Sequence, residues 1–294
     1  MKRRGFIKAG IGLAGITILQ PAKGLTEVNM AFSSEAFVDK VKLGKSGLKV
    51  SRIAMGTGTH GGNKESDFTR AGMDTFVRLA RHAYERGIRF YDTADSYGSI
   101  PYVGEAIKTL PRKKLTLLTK MWTQDDGSDR LESVEDNINR YLREFDTDYI
   151  DILLMHCLMS GDWGKKRTHY MEGFQKAKKE GKVRAVGVSC HNIDALREAS
   201  VNPWVDVIMA RINPFGTIMD GSPAEVKAIL ATAKQNGKGI IGMKIFGEGK
   251  HVSDDEREQS IRFALHEGNV HCMTLGMTTI AQMNDAVERV MKNK

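Results

Sequence analysis

The sequence predicts a single α/β domain, a closed (β/α)8 TIM barrel with an N-terminal β-hairpin, and three observations carry that prediction. From about Val41 onward, eight short apolar runs each give way to a stretch of helical periodicity. Most of those runs are continuous, as in Ile150-Asp-Ile-Leu-Leu-Met155, which suits parallel strands covered by helices on their outer side. The 294 residues accommodate one barrel of about 250 residues. No Gly-x-Gly-x-x-Gly follows the first strand, so an open dinucleotide-binding sheet has little support.

The first thirty residues read as an address rather than as fold. Lys2, Arg3, Arg4 and Lys8 precede the apolar run Ile11 to Leu19 and then Gln-Pro-Ala22, the layout of an export signal. The run is shorter than the ~20 residues of a spanning helix, and Gly10, Gly12 and Gly15 make it a poor helix. The adjacent arginines before Gly-Phe-Ile-Lys8 resemble the twin-arginine signals of bacteria. Expected from this are the twin-arginine machinery as a partner, a periplasmic or otherwise exported location, and no stable membrane insertion. Cleavage after Ala22 or after Ala31 and retention of the segment all stay open.

The barrel elements follow in order. Val41 to Val50 is apolar around Gly44-Lys-Ser-Gly47, a hairpin pattern. The expected strands are Arg52–Met55, Arg89–Tyr91, Leu115–Lys120, Ile150–Met155, Ala185–Val188, Val205–Ala210, Gly239–Met243 and Cys272–Leu275. Met73–Arg86 spaces Phe76, Leu79, Ala80 and Ala83 helically; Val134–Phe145 does the same with Ile138, Tyr141 and Leu142 behind a capping Ser133. Further helices are expected near His169–Lys179, Ile193–Ala199, Ala224–Gln235, Asp255–His266 and Ile280–Met291.

Composition excludes several classes. Forty-one per cent apolar and 27% charged residues describe an ordinary globular chain. Lys2, Arg3, Arg4, Lys8 and Lys23 against Glu27 supply half of the formal charge of +8, and the rest is spread over mixed-sign helices, so nucleic acid is not an expected partner. Cys157, Cys190 and Cys272 are too few for a disulfide framework or a zinc knuckle. A Cys157–Cys190 bridge between neighbouring strand ends is conceivable, with free thiols the expected state.

In such a barrel the C-terminal strand ends form the site. Asp92, Lys120 and His156 close the second, third and fourth strands, and Tyr97 lies five residues past Asp92. A lysine in a partly dry cavity needs a partner, and Asp92 offers one. Hydride addition to a carbonyl builds charge on oxygen that a positioned acid must neutralise. An ammonium beside Tyr97 is expected to pull the phenol below its usual pKa of about 10, while His156 orients the carbonyl.

The segments Gly87-Ile-Arg-Phe-Tyr-Asp-Thr-Ala-Asp-Ser-Tyr-Gly98 with Val103-Gly-Glu-Ala-Ile107, Leu117-Leu-Thr-Lys120, Asp151-Ile-Leu-Leu-Met-His156 and Gly181-Lys-Val-Arg-Ala-Val-Gly-Val-Ser189 resemble, in order, the signatures of the aldo-keto reductase family. The resemblance runs from about Val41 to Met291. It implies an NAD- or NADP-dependent oxidoreductase for carbonyl or alcohol substrates, with Asp92, Tyr97, Lys120 and His156 as the catalytic tetrad. It further implies cofactor contacts at Gly58, Thr59, Asp92, Ser189, Lys244, Phe246 and Thr278. At positions where many relatives carry Asn, Gln and Tyr around the nicotinamide, this chain has Cys190, Met209 and Met243. Gly276, Gln282 and Ala286 replace the residues that grip a 2′-phosphate, which leaves the choice between NAD and NADP open. His60, Trp122 and Trp163 fall where relatives line the substrate pocket, and the short tail leaves a mouth suited to a sugar or another polar compound.

Two other classes compete. A metal-dependent barrel hydrolase would draw on His60, His156, Cys157, Cys190 or His191, but no His-x-His occurs on the first strand, so no metal is expected. A dinucleotide-binding redox sensor would not need Tyr97 and Lys120.

Overall fold

A computed structural model describes residues 37–123 and 133–294. The signal-like segment, residues 1–30, lies outside the described residues. Strands β1 (Lys40–Lys42) and β2 (Lys49–Ser51) form the expected antiparallel hairpin, with Val41 opposite Val50. Leu43, Leu48 and Val50 are buried in one cluster with Ala54, Phe90, Leu118 and Ile152 from the barrel interior, so the hairpin seals the N-terminal end.

The barrel strands are β3 (Ile53–Gly56), β4 (Phe90–Asp92), β5 (Thr116–Trp122), β6 (Ile150–Leu158), β7 (Val183–Cys190), β8 (Val207–Arg211), β9 (Gly239–Met243) and β10 (Cys272–Leu275). All eight pair in parallel, and β10 pairs with β3 to close the ring. The helices are α1 (Asp67–Arg70), α2 (Met73–Glu85), α3 (Ile100–Ile107), α4 (Val134–Phe145), α5 (Trp163–Lys166), α6 (Thr168–Lys179), α7 (Ile193–Val201), α8 (Pro223–Gln235), α9 (Asp254–His266) and α10 (Ile280–Lys292). Sequence periodicity misses α1, α3 and α5. The first and last are single turns of four residues, and α3 starts on Ile100-Pro-Tyr and is too short to establish a period.

Alternation along the strands divides the core. Val207 and Met209 lie inside the barrel, while Ile208 and Ala210 lie in the larger cluster with the helices. At the N-terminal end the buried Asp151 accepts from Arg112 at 2.9 Å, Arg184 at 2.7 Å and the Leu117 amide at 3.0 Å. This carboxylate ties β5 to β7, a stabilising task typical of that end. Four helices, α1, α4, α8 and α9, begin with serine capping boxes, each worth roughly 1 kcal/mol. Among the described residues no helix is long and apolar enough to cross a membrane.

Candidate active site

At the opposite end, the strand termini bring four residues together. Lys120, buried inside β5, donates to an Asp92 carboxylate oxygen and to the Thr93 carbonyl at 2.8 Å. The second Asp92 oxygen accepts from Thr274 Oγ1 of β10 at 2.7 Å. Burial pulls the Lys120 ammonium down and the Asp92 charge counters it. Thr274 was not legible as a site residue; its inward position on β10 is the only signal it carries.

Tyr97 ends a single 3-10 turn, Asp95–Tyr97, after β4. Its hydroxyl lies 3.4 Å from His156 Nε2, and the two rings meet edge to face at 5.5 Å. Lys120 Nζ sits 5.0 Å from the centre of the Tyr97 ring. The expected lowering of the phenol is reversed. Burial and the Asp92 charge push the Tyr97 phenol well above its ordinary value, because Nζ is committed to Asp92 and Thr93 and meets the ring face. A phenol of this kind holds its proton at neutral pH.

The turn carrying Tyr97 is itself clamped. Asp95 accepts from Lys64 at 2.5 Å and Arg140 at 2.8 Å, and the Lys64 amide donates to the Ser96 carbonyl at 2.8 Å. Burial alone would raise Asp95, but the two cations hold its carboxyl below the usual range. Gly98 ends the turn at φ 64° against the Lys64 backbone, a conformation and a spacing that both require glycine. Gly58 abuts the Tyr97 ring so closely that a methyl group there would collide with it. Gly58→Ala is therefore expected to keep the fold while lowering kcat at least about 10-fold by displacing the ring; circular dichroism alongside steady-state kinetics checks this.

Of the residues expected at the cofactor, several gather at the mouth. Ser189 ends the inward row of β7, in register with Met209 of β8, and its buried Oγ has no hydrogen-bond partner. Met209, level with it, and Met243, one inward step nearer the mouth, belong to the same interior cluster. A buried hydroxyl without a partner beside apolar side chains fits a flat ring bearing a carboxamide, so the residues present fit a nicotinamide. Thr59 approaches Gly276 across the β3–β10 seam. Lys244, at φ 58° after β9, pairs with Glu248. The Thr278 amide, expected for a phosphate, is taken by Gln282 Oε1 at 2.8 Å.

Two expectations are corrected, those for Cys190 and Trp163. Cys190 points outward into the cluster between sheet and helices, because it follows the inward Ser189 by one residue. Phe246 also packs on that outer cluster. Trp163, expected at the substrate, is 2% exposed, donates from its indole to the Ala195 carbonyl at 3.2 Å and packs on Trp204. It starts α5 and turns into the helix layer. Trp122, by contrast, meets the His156 ring edge to face at 5.7 Å. His60 stands at the rim, its side chain 74% exposed and bonded to Asp67 at 2.8 Å. Cys157, Cys190 and Cys272 form no disulfide with one another. Among the described residues no cluster of three His, Cys, Asp or Glu side chains could hold a metal ion.

Sequence reading also passed over Arg211 and Asp220. Arg211 closes β8 and donates to the His191 carbonyl at 2.9 Å and to Asp220. Burial pushes the Asp220 carboxyl up against the pull of Arg211. Burial, with Arg211 and Lys244 nearby, pushes His191 down to about 4 from 6.5. The unfolded chain protonates this ring first as pH falls, so stability declines between about 6.5 and 4, by at most about 3 kcal/mol. Urea unfolding at pH 7 and pH 4 checks this, with His191→Gln expected to lose less on acidification than the parent.

Residues 52–293 match the family model described as "Aldo/keto reductase family". The chain belongs to the aldo/keto reductase family. It is 33% identical to L-galactose dehydrogenase of Arabidopsis thaliana over 208 residues, 68% of this chain and 62% of that protein. It is 28% identical to the NADH-specific methylglyoxal reductase of Escherichia coli (strain K12) over 202 residues, 62% of this chain and 61% of that protein. The chain thus spans about three fifths of each of these relatives. The holo form of an aldo-keto reductase from Bacillus halodurans shares its fold with a TM-score of 0.66 at 20% identity, covering 86% of this chain and 91% of that one. As an aldo/keto reductase, the chain has a family of NAD(P)-dependent oxidoreductases of carbonyl substrates behind it, and its barrel is the expected one.

Proposed function

We propose that this aldo/keto reductase is an exported NAD(P)-dependent oxidoreductase that interconverts a polar carbonyl compound, such as a sugar, and its alcohol. The carrying observation is the convergence of Tyr97, His156 and the buried Lys120–Asp92 pair at one barrel mouth. When bound, the reduced nicotinamide supplies the hydride. Ser189, Met209, Met243 and Lys244 would hold that cofactor. His156 and Tyr97 together receive the carbonyl oxygen, and the Tyr97 phenol transfers its proton to that oxygen as the carbon is reduced. Lys120, held by Asp92 and the Thr93 carbonyl, keeps a positive charge near the phenolate left behind. The reverse sequence oxidises an alcohol.

The Arg3-Arg4 segment supports export in folded form by the twin-arginine route to the periplasm, with the dinucleotide loaded before transport. If it is not exchanged there, one substrate reduces the bound cofactor and another reoxidises it. The experiment is to purify the full chain without added cofactor, denature it and assay the supernatant. Near-stoichiometric dinucleotide identifies NAD or NADP and supports a retained cofactor. Turnover only with freely exchanging cofactor overturns the retention, and a protein that binds neither dinucleotide overturns the oxidoreductase reading.

A further inference from the structure

The donor to the second Asp92 oxygen stands two strands away. Around the ring the order is β10, β3, β4, β5, with Thr274 on β10, Asp92 on β4 and Lys120 on β5. Thr274 belongs to the inward row of β10, one step beyond the interior Cys272. Its backbone is level with Ala54 of β3, whereas Asp92 is level with Gly56 of the same strand. The hydroxyl therefore crosses β3 to reach the carboxylate, which it meets at 2.7 Å.

Glycine at position 56 leaves the crossing open. A Cβ there would lie 2.6 Å from Thr274 Oγ1 and 3.2 Å from the Leu275 carbonyl oxygen, so any side chain would fill the path of the bond. Gly56 is not one of the glycines at positive φ, so backbone conformation gives no separate reason for a glycine. A strand glycine of this kind marks a close approach, and here the approaching group is a hydroxyl on its way to Asp92.

An aspartate carboxylate held through one oxygen can still turn, because its terminal torsion is broad. Oδ1 takes the Lys120 ammonium. Among the described residues Thr274 is the only donor to Oδ2. Asp92 is 5% exposed, so bulk water is a poor substitute for that donor. An ionised carboxylate only accepts, and the threonine spends its one proton on it.

We infer that Thr274 is a positioning residue: by fixing the Asp92 carboxylate from across β3, it sets where the Lys120 ammonium stands beside Tyr97. With Asp92 pinned, Nζ has two fixed acceptors, the carboxylate and the Thr93 carbonyl, and lies 5.0 Å from the centre of the Tyr97 ring. A charge held in place in this way needs no rearrangement when the phenolate forms. Without the hydroxyl the carboxylate turns, and the ammonium follows it.

The inference rests on the oxidoreductase reading above, and its test separates the two. Thr274→Val keeps the shape of the side chain and removes the hydroxyl; Thr274→Ser keeps the hydroxyl. Reduction of methylglyoxal and of an aldohexose is measured with NADH and with NADPH. Thr274→Val is expected to lower kcat about 10-fold with KM within about twofold of the parent, since misplaced groups at a reacting centre cost rate more than binding. Thr274→Ser is expected to restore most of that loss. A kcat for Thr274→Val within about twofold of the parent, or an equal loss in both variants, overturns the inference. Thr274→Ala takes the place of Thr274→Val should that variant fail to fold.

A readout without turnover is the proton–nitrogen NMR signal of the Lys120 ammonium, which burial protects from exchange and which Lys120→Met identifies by its loss. The signal is expected to move or broaden in Thr274→Val and to keep its place in Thr274→Ser. An identical signal in parent and Thr274→Val overturns the inference whatever the rates. If the parent reduces neither carbonyl, the reading of the substrate falls alone, and a signal that moves in Thr274→Val but not in Thr274→Ser still supports the positioning of Lys120 by Thr274.

Discussion

Tyr97→Phe is expected to lower kcat for carbonyl reduction by about 100- to 10,000-fold, the usual contribution of one positioned proton donor. The substitution removes only the hydroxyl that faces His156 Nε2 at 3.4 Å and leaves the ring seated against Gly58. KM and the melting temperature are therefore expected to change little, which separates lost chemistry from lost structure. The pH dependence follows from the same geometry. Burial and Asp92 hold the phenol above its ordinary value, so the protonated form needed for reduction persists past the usual tyrosine range, near pH 10. Alcohol oxidation needs the phenolate and is expected to rise with pH across the alkaline range. Initial rates in both directions from pH 6 to pH 10, for parent and variant, check both claims. A variant within tenfold of the parent would remove Tyr97 from the proton path.

Asp92→Ala is expected to damage both stability and activity. It strips a fully buried ammonium of its carboxylate and Thr274 of its acceptor, leaving Lys120 with the Thr93 carbonyl. Breaking one side of a buried pair costs about 3–5 kcal/mol, or about 6–20 °C in melting temperature for a chain of this size. Asp92→Ala combined with Lys120→Met removes the stranded charge, so most of the lost stability is expected to return while activity stays lost. Thermal melts of the two single variants and the double variant measure the coupling. If the double variant melts as low as Asp92→Ala, the pair is not the source of the instability.

The barrel was legible in the sequence because its strands are buried on both faces and read as continuous apolar runs, while helices such as α2 and α4 carry a clear stripe. The meeting of Asp92, Tyr97, Lys120 and His156 was legible because polar residues ending such runs lie at a barrel mouth. Trp163 was misplaced because a position after a strand says nothing about which way the following turn packs its indole. Cys190 was misplaced by one residue of strand parity. Asp220 could not be found at all, since its partner Arg211 lies nine residues away across an irregular loop.

By itself the sequence determined the (β/α)8 order, the hairpin before it, the placing of Asp92, Tyr97, Lys120 and His156 at one end, and the resemblance that joins them. These depend on local periodicity and on chain order, both of which a linear string carries. Tertiary structure decided that Lys120 spends its bonds on Asp92 and Thr93, that the Tyr97 phenol is raised rather than lowered, and that Arg211 ties the His191 carbonyl to Asp220. Those outcomes depend on burial and on distances between remote strands, which arise only when the eight strands close into a ring.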